Sequence, residues 1–304
     1  MGNQSLSFAV LGPGGVGGLL AALLSRAGDP VLVLASENTG RAIAANGVRL
    51  ESTEFGDFTA RVRTAQRLED PVDACLITVK STHLTEALSR VPASALGLGL
   101  VIPLLNGLEH VAFLRTIYPV GNVVAGTIRV ETDRPEPGLI RHTSPFAAVE
   151  MAASSENRER VELVAARLTA AGLGVRVRHD EEAMLWDKFA MLAPLALLTT
   201  HERDNLGAIR TRRRDDMVAI VSEVAAVARA EGTAVDPDHV IHMFDSTPGS
   251  MGSSMQRDEA AGRPLEIDSI GGALLRRAGR AGVAVPVSSR LVAEIRSRTD
   301  GTSR

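Results

Sequence analysis

An α/β domain followed by an all-helical domain is the fold class the sequence predicts, and three observations carry it. Short apolar strands alternate with helical segments through the first half of the chain, the pattern of a parallel sheet covered by helices. The apolar run Phe8-Ala9-Val10-Leu11 ends in Gly12-Pro13-Gly14-Gly15-Val16-Gly17 and passes directly into an Ala/Leu-rich helix. From about Glu181 onward helical periodicity takes over, with no internal repeat and no low-complexity linker. Residues 1–179 are therefore assigned to the α/β domain and residues 180–304 to the helical one.

In chain order, Pro30 to Ala35 is the second strand, and Arg41 to Asn46 a short helical turn ended by Gly47. Val48 to Leu50 and Phe58 to Val62 are further strand segments. Cys75 to Val79 is a buried strand, followed by Lys80, Ser81 and a helix from about Thr82 to Val91. Leu100 to Leu104 and Val123 to Thr127 continue the sheet, and Gly138 to Arg141 with Ala147 to Met151 form its last edge. Asn157 to Ala171 is an amphipathic helix and Val175 to Arg178 the final strand. The helical half contains Glu182 to Thr200, Asp215 to Glu231, Pro237 to Phe244 and Ile267 to Ala281, with a flexible-looking loop at Thr247 to Ser254.

The order strand, glycine turn, helix has a physical logic. Gly12 permits the tight turn, Gly14 lets backbone N–H groups approach a pyrophosphate, and Gly17 lets helix and strand pack closely. The helix N-terminus offers unpaired N–H groups and a partial positive charge to the phosphates. The first domain is on these grounds a Rossmann-type dinucleotide-binding domain, with Gly12, Pro13, Gly14, Gly15, Val16 and Gly17 as cofactor-binding residues.

Composition excludes several function classes. A length of 304 residues at 45% hydrophobic supports a large core, and a net charge of −3 argues against nucleic acid or an anionic membrane surface as partner. The single cysteine, Cys75, sits in an apolar run, where burial suppresses the thiolate, so it is expected to be a reduced core thiol without a catalytic role. No secretory segment or bilayer-spanning stretch is evident, and Leu6 occupies the position where myristoylation wants Ser or Thr. These features predict a cytoplasmic protein. An excess of apolar residues in the helical half hints at a homodimer.

Because a dinucleotide domain only holds a cofactor, the helical half must supply a proton donor and a substrate pocket. Lys188, in Leu185-Trp186-Asp187-Lys188-Phe189, is a cation on a largely apolar helix, either snorkelling to solvent or facing a cleft. Glu266, in Leu265-Glu266-Ile267-Asp268, opens a later helix as a first-turn carboxylate. Other features carry less chemistry. Arg210, Arg212, Arg213 and Arg214 run straight into Asp215 and Asp216, as at a solvated helix entrance. His239 and His242 have i, i+3 spacing but no third ligand, so no metal is expected. His142 and Trp186 are expected to be structural.

Taken together, the motifs resemble the ketopantoate reductases (2-dehydropantoate 2-reductases), over nearly the whole chain. Its markers occur in family order: the glycine turn, Thr78-Val79-Lys80, Asn106-Gly107, Pro137 to His142, Leu185-Trp186-Asp187-Lys188, Ser253-Ser254-Met255-Gln256, Glu266-Ile267-Asp268, then Leu274 to Ala278 and Gly282 to Pro286. The resemblance implies NAD(P)H-dependent reduction of a 2-oxo acid to a 2-hydroxy acid, with ketopantoate in pantothenate biosynthesis as the default substrate. It implies that Lys188 is the general acid; an ordinary lysine pKa of about 10.4 keeps it protonated at neutral pH. It implies that Glu266 holds the lysine or the nicotinamide ribose, that Ser254 and its neighbour Ser253 bind substrate, and that Asn106 and Lys80 line the cofactor near its ribose.

The sequence departs from that family in two places. Where members carry asparagines one and two helical turns after the lysine, this chain has Leu192 and Ala196, so the substrate-binding wall has lost two amides. The family's downstream asparagine is displaced by one position, to Asn205. Where an arginine normally meets the 2′-phosphate of NADP, Ser36 stands instead; Glu37, Arg41 and Lys80 are the nearby charges, and NADP is favoured with NAD possible. The competing expectations are a family reductase of a different keto substrate and a non-catalytic dinucleotide sensor.

Overall fold

The apolar run before the glycines forms β1 (Phe8–Leu11), buried at every residue, in a computed structural model that describes residues 5–302. Eleven further strands follow: β2 (Val31–Leu34), β3 (Val48–Ser52), β4 (Phe58–Ala60), β5 (Arg63–Ala65), β6 (Ala74–Ile77), β7 (Leu100–Pro103), β8 (Gly126–Arg129), β9 (Thr132–Glu136), β10 (Leu139–His142), β11 (Ala148–Ala152) and β12 (Gly174–Arg178). The helices among them are α1 (Gly15–Arg26), α2 (Glu37–Asn46), α3 (Leu84–Leu88), α4 (Ala93–Leu96), α5 (His110–Leu114) and α6 (Arg158–Ala170). Two compact units result: Met1–Leu105 with His110–Glu181, and Asn106–Glu109 with Glu182–Arg304.

In the first unit, the order β5-β2-β1-β6-β7 makes a five-stranded sheet that is parallel throughout. β1, β6 and β7 read as unbroken apolar runs because they are buried on both faces. From β1 the chain passes through α1 to β2 on one side, while β6 lies on the other side of β1. The carboxyl end of β1 is thus a topological switch point, the place where open α/β sheets hold ligands.

The strands expected to extend this sheet form two others. β4-β3-β10-β9 is a four-stranded sheet and β12-β11-β8 a three-stranded one. Val123 does reach the main sheet, through a single parallel bridge to Val101, but the strand proper starts at Gly126 and pairs with β11. The physical reason is legible in burial. β3 buries Val48, Leu50 and Ser52 and exposes Arg49 and Glu51, the alternation of a sheet with one wet face, unlike the continuous runs of β1 and β6. β9 was not anticipated; it is an exposed edge strand containing Pro135, a residue sheets tolerate only at their margins. The helix expected from Thr82 to Val91 is shorter, a 3-10 turn at Ser81–His83 followed by α3. Conversely, α2 starts four residues before the expected Arg41.

A buried ion pair ties this unit together. Asp29, between α1 and β2, receives Arg167 Nε at 2.8 Å and Nη2 at 3.0 Å, and also the Leu6 N–H at 3.1 Å. Arg167 belongs to α6 and donates further to the Ala27 carbonyl. His142 is likewise structural. Its Nδ1 lies 2.9 Å from Ser52 Oγ and its Nε2 3.1 Å from Ser144 Oγ, and its ring stacks on Phe55. Cys75 is fully buried, and burial pushes its thiol up to about 12, so no thiolate chemistry is available to it.

The second unit is helical: α7 (Glu181–Glu202, entering the unit at Glu182), α8 (Leu206–Arg212), α9 (Arg214–Ala230), α10 (Pro237–Ser246), α11 (Ser254–Ala260), α12 (Ala273–Ala281) and α13 (Pro286–Thr302). α8, α11 and α13 were not anticipated, being short or weakly periodic. α13 starts where Glu223 of α9 accepts the backbone N–H groups of Val287 and Ser288, a carboxylate satisfying a helix N-terminus. Among the described residues of this unit, Val218 is the one large hydrophobic side chain that is exposed. No helix among the described residues is long and apolar enough to cross a membrane.

Removing the Asp29 carboxylate strands a buried guanidinium. Asp29→Ala is expected to lower stability by about 3–5 kcal/mol, measured by chemical denaturation followed by circular dichroism; a loss below about 1 kcal/mol would show that the pair carries little.

Candidate active site

At the end of β1 the chain turns at Gly12, whose φ of +89° favours glycine. The glycines of the motif do different jobs. A Cβ on Gly17 would lie 2.3 Å from the Gly12 carbonyl and 2.3 Å from Thr78 Oγ1, so Gly17 is fixed by helix–strand packing. Thr78 in turn donates to the Gly12 carbonyl at 2.8 Å, closing the turn from the neighbouring strand. A Cβ on Gly14 would meet nothing within 4 Å. Gly14 therefore borders open space at the mouth of α1, where no side chain caps the first turn, and a phosphate can approach the backbone there. Gly15 and Val16 are partly exposed and Pro13 is buried. A dinucleotide's pyrophosphate fits this cradle.

The residues expected to contact the rest of that cofactor are placed as follows. Ser36 is exposed at the head of α2, its hydroxyl 3.3 Å from Thr39 Oγ1. Glu37 and Arg41, one turn apart, form an exposed ion pair at 3.0 Å, so both signs of charge sit beside Ser36. Lys80 is partly buried just after β6, at the start of the Ser81–His83 turn.

The second unit brings together residues far apart in sequence. Lys188 Nζ donates to Asn106 Oδ1 at 3.1 Å, and Asn106 Nδ2 donates to Glu266 Oε2 at 3.1 Å. The chemistry of the partners fixes the amide. An ammonium only donates and a carboxylate only accepts, so the oxygen of Asn106 must face Lys188 and its nitrogen Glu266. Glu266 is 6% exposed, whereas Lys188 and Asn106 are partly exposed. The amide of Asn106, a residue expected to line the cofactor, bridges ammonium and carboxylate.

Local structure delivers each member. Asn106 and Gly107 follow β7, and the Gly107 φ of +101° turns the chain toward the residues after Glu266. A Cβ on Gly107 would lie 2.4 Å from the Ser269 carbonyl. Those residues form a π-helical turn, Asp268–Gly272, a rare geometry that is frequent at functional sites. Arg276 locks the approach by binding Glu109 Oε2 at 2.6 Å and Asp268 Oδ1 at 3.0 Å. These bonds, with Glu109 first, hold its guanidinium above the ordinary arginine range.

Two of the residues expected to bind substrate are buried within the fold. Ser253 is 4% exposed and caps α11, accepting the Gln256 N–H at 3.0 Å while its Oγ lies 2.8 Å from Thr199 Oγ1. Its hydroxyl is engaged within the fold. Ala196 is 1% exposed and packs in the core of the unit, because two helical turns from Lys188 the face has rotated inward. Ser254 is exposed in the first turn of α11, and Leu192 is partly exposed one turn after Lys188. Asn205 is a helix cap, its Oδ1 accepting the Ala208 N–H at 3.2 Å. The loop before α11 is strapped to α8: Met251 and Gly249 carbonyls accept the Leu206 and Gly207 N–H groups, each at 2.8 Å, and Arg210 donates to the Thr247 carbonyl at the start of the loop and to the Asp245 carbonyl at the end of α10. Sequence reasoning missed Arg210 as the anchor of that loop, since its basic cluster looked merely solvated. Among the described residues no group of three potential metal ligands converges.

A dinucleotide cradle on an α/β unit and a lysine–asparagine–glutamate line on a helical unit define a nicotinamide-dependent reductase class. Comparison with known proteins agrees. Residues 8–155 match the family described as Ketopantoate reductase PanE/ApbA, and residues 180–299 match Ketopantoate reductase PanE/ApbA C terminal. The chain is 31% identical over 308 residues to 2-dehydropantoate 2-reductase of Mycobacterium tuberculosis (strain CDC 1551 / Oshkosh), covering 98% of this chain and 99% of that protein. It is 30% identical over 299 residues to the protein of the same name from Caulobacter vibrioides, covering 94% and 97%. The PanE/ApbA family ketopantoate reductase structure from Ralstonia eutropha JMP134 is similar with a TM-score of 0.88 at 29% identity, covering 98% of this chain and 100% of that one. A D-mandelate dehydrogenase structure with NADH and anilino(oxo)acetate shares the fold, with a TM-score of 0.91 at 22% identity, covering 98% and 100%. The chain belongs to the ketopantoate reductase family, and is an oxidoreductase acting on CH–OH groups.

Asn106→Ala removes a hydrogen bond from each of two charged groups. It is expected to cost the helical unit about 1.5–3 kcal/mol, measured by denaturation monitored through Trp186, which is the chain's single tryptophan and is buried in that unit. An unchanged midpoint would show that the amide bridge is dispensable.

Proposed function

We propose that this chain reduces 2-oxo acids to 2-hydroxy acids with NAD(P)H, ketopantoate to pantoate in pantothenate biosynthesis being the reference reaction. The observation that carries the proposal is the Lys188–Asn106–Glu266 line in a chain whose curated relatives are named 2-dehydropantoate 2-reductases.

A bound reduced nicotinamide supplies a hydride. The chain's own residues handle the oxygen. As the carbonyl carbon is reduced, negative charge builds on its oxygen, and an ammonium within hydrogen-bond reach both stabilises that charge and delivers a proton. Lys188 has this role. Asn106 accepts one of its N–H groups and so fixes the direction of the head group, while Glu266 accepts from the same amide and holds its orientation. The Ser254 hydroxyl binds the substrate carboxylate. Leu192, one turn from the lysine, supports a second reading in which the preferred substrate is a different keto acid.

The cofactor is proposed to be NADP, with NAD as the alternative. Support comes from the Ser36 hydroxyl at the head of α2 and the Arg41 guanidinium in the same helix, both able to hold a 2′-phosphate. The paired Glu37 works against it.

Lys188→Ala is expected to lower kcat on ketopantoate about a hundredfold or more while NADPH binding is retained; unchanged turnover would remove Lys188 from the chemistry. For the cofactor, Arg41→Ala is expected to weaken NADPH about tenfold and NADH less than about twofold, by fluorescence titration. Equal effects on both would exclude Arg41 as the phosphate partner.

A further inference from the structure

α7 meets solvent along one narrow strip. From Met184 to Thr200 every residue is buried except Asp187, Lys188, Met191, Leu192 and Leu195. Lys188, Leu192 and Leu195 are spaced i, i+4 and i+7, on one face of the helix, with Met191 beside them. The same face continues to Thr199, whose Oγ1 lies 2.8 Å from Ser253 Oγ, and Ser253 precedes the exposed Ser254. Beyond the ammonium, the strip leading from the proton donor to the first turn of α11 is therefore apolar. Two leucines offer no hydrogen-bonding atom, and a methionine offers only a weakly accepting sulfur.

We propose that the substrate's side chain lies on Met191, Leu192 and Leu195, so that the enzyme favours 2-oxo acids with purely apolar side chains over those bearing a hydroxyl. This rests on the reading that Lys188 protonates the substrate oxygen, since that fixes where the rest of the molecule runs. The energetics follow from the strip's composition. Each methylene laid on it adds about fourfold to kcat/KM. A hydroxyl laid on it gives up its water without gaining a partner. Ketopantoate carries such a hydroxyl on C4; 3,3-dimethyl-2-oxobutanoate has the same carbon skeleton without it. The pair isolates that one group.

The test measures kcat/KM for both compounds, with the preferred dinucleotide, in the wild type, Leu192→Asn and Leu192→Ala. The wild type is expected to favour 3,3-dimethyl-2-oxobutanoate by about tenfold or more, within the roughly hundredfold range over which an apolar pocket rejects an added hydroxyl. Leu192→Asn supplies a donor and acceptor beside that hydroxyl and is expected to shift the ratio toward ketopantoate about tenfold. Leu192→Ala, which removes apolar area without adding a partner, is expected to lower kcat/KM on the hydroxyl-free compound several-fold and leave ketopantoate the less changed of the two. Dinucleotide titration and Trp186 fluorescence check that each variant is folded. A wild-type preference for ketopantoate, or a ratio that Leu192→Asn does not move, overturns the proposal and leaves the reductase assignment standing. Absence of turnover on both compounds, in a protein that still binds dinucleotide, overturns the proposal together with the 2-oxo acid reading beneath it.

Discussion

The amide of Asn106 is the constraint on which the helical unit's chemistry depends. A lysine on a helix whose other residues are mostly buried is costly unless its head group has a partner, and a carboxylate that is 6% exposed is costlier still. Asn106 serves both, because a carboxamide offers an acceptor on one side and a donor on the other. With an ammonium on the oxygen side and a carboxylate on the nitrogen side, the amide has one sensible orientation. That polarity fixes the direction of the Lys188 hydrogen bond, and under the proposed function it orients the proton donor in advance, which is what electrostatic preorganisation requires.

Holding Asn106 there takes more structure than the residue itself. It arrives on the four-residue segment Asn106–Glu109, which groups with the helical unit although β7 before it and α5 after it belong to the α/β unit. Gly107 allows the close approach to the Ser269 carbonyl, and the Glu109–Arg276–Asp268 ion pairs clamp both sides of that contact. Arg296 adds a further bond to Asp268 at 2.9 Å, from α13. Surface pairs of this kind contribute little singly, but a network sharing one arginine restricts the segment's geometry. The π-helical turn follows from the same crowding: Gly271 and Gly272 sit where a Cβ would lie within 2.4 Å of Val292 and 2.5 Å of Asp268.

Much of the fold was legible because burial writes itself into residue order. β1, β6 and β7 were readable as unbroken apolar strands, and the glycine turn was readable because each glycine answers a separate steric demand. The division into three sheets was less so. The alternation in Val48-Arg49-Leu50-Glu51 carried the signal, but short segments do not declare their pairing partners, and β9 with its Pro135 has no apolar period at all. In the site, Lys188 and Glu266 could be picked out by type and motif, whereas the bridging role of Asn106 could not. Its partners are 82 and 160 residues away, and only the folded chain brings them within a hydrogen bond. Ser253 and Ala196 show the converse. Motif position placed both at the substrate, yet one is a helix cap and the other has turned into the core.

A helix that presents a lysine head group at the surface of its unit must leave its neighbours at i+3, i+4 and i+7 in view as well, since all share one face. Core packing constrains Met191, Leu192 and Leu195, which are partly exposed, less tightly than the buried Ala193, Ala196 and Leu197. Solvent alone would favour polar residues there, and polar residues are available to a helix at little cost in propensity. Three apolar side chains on this partly exposed face offer a surface on which an apolar group can lie. Under the proposed function, a substrate tail lying beside the Lys188 ammonium meets that description, and the composition of this strip, more than the lysine itself, would then distinguish one keto acid from another.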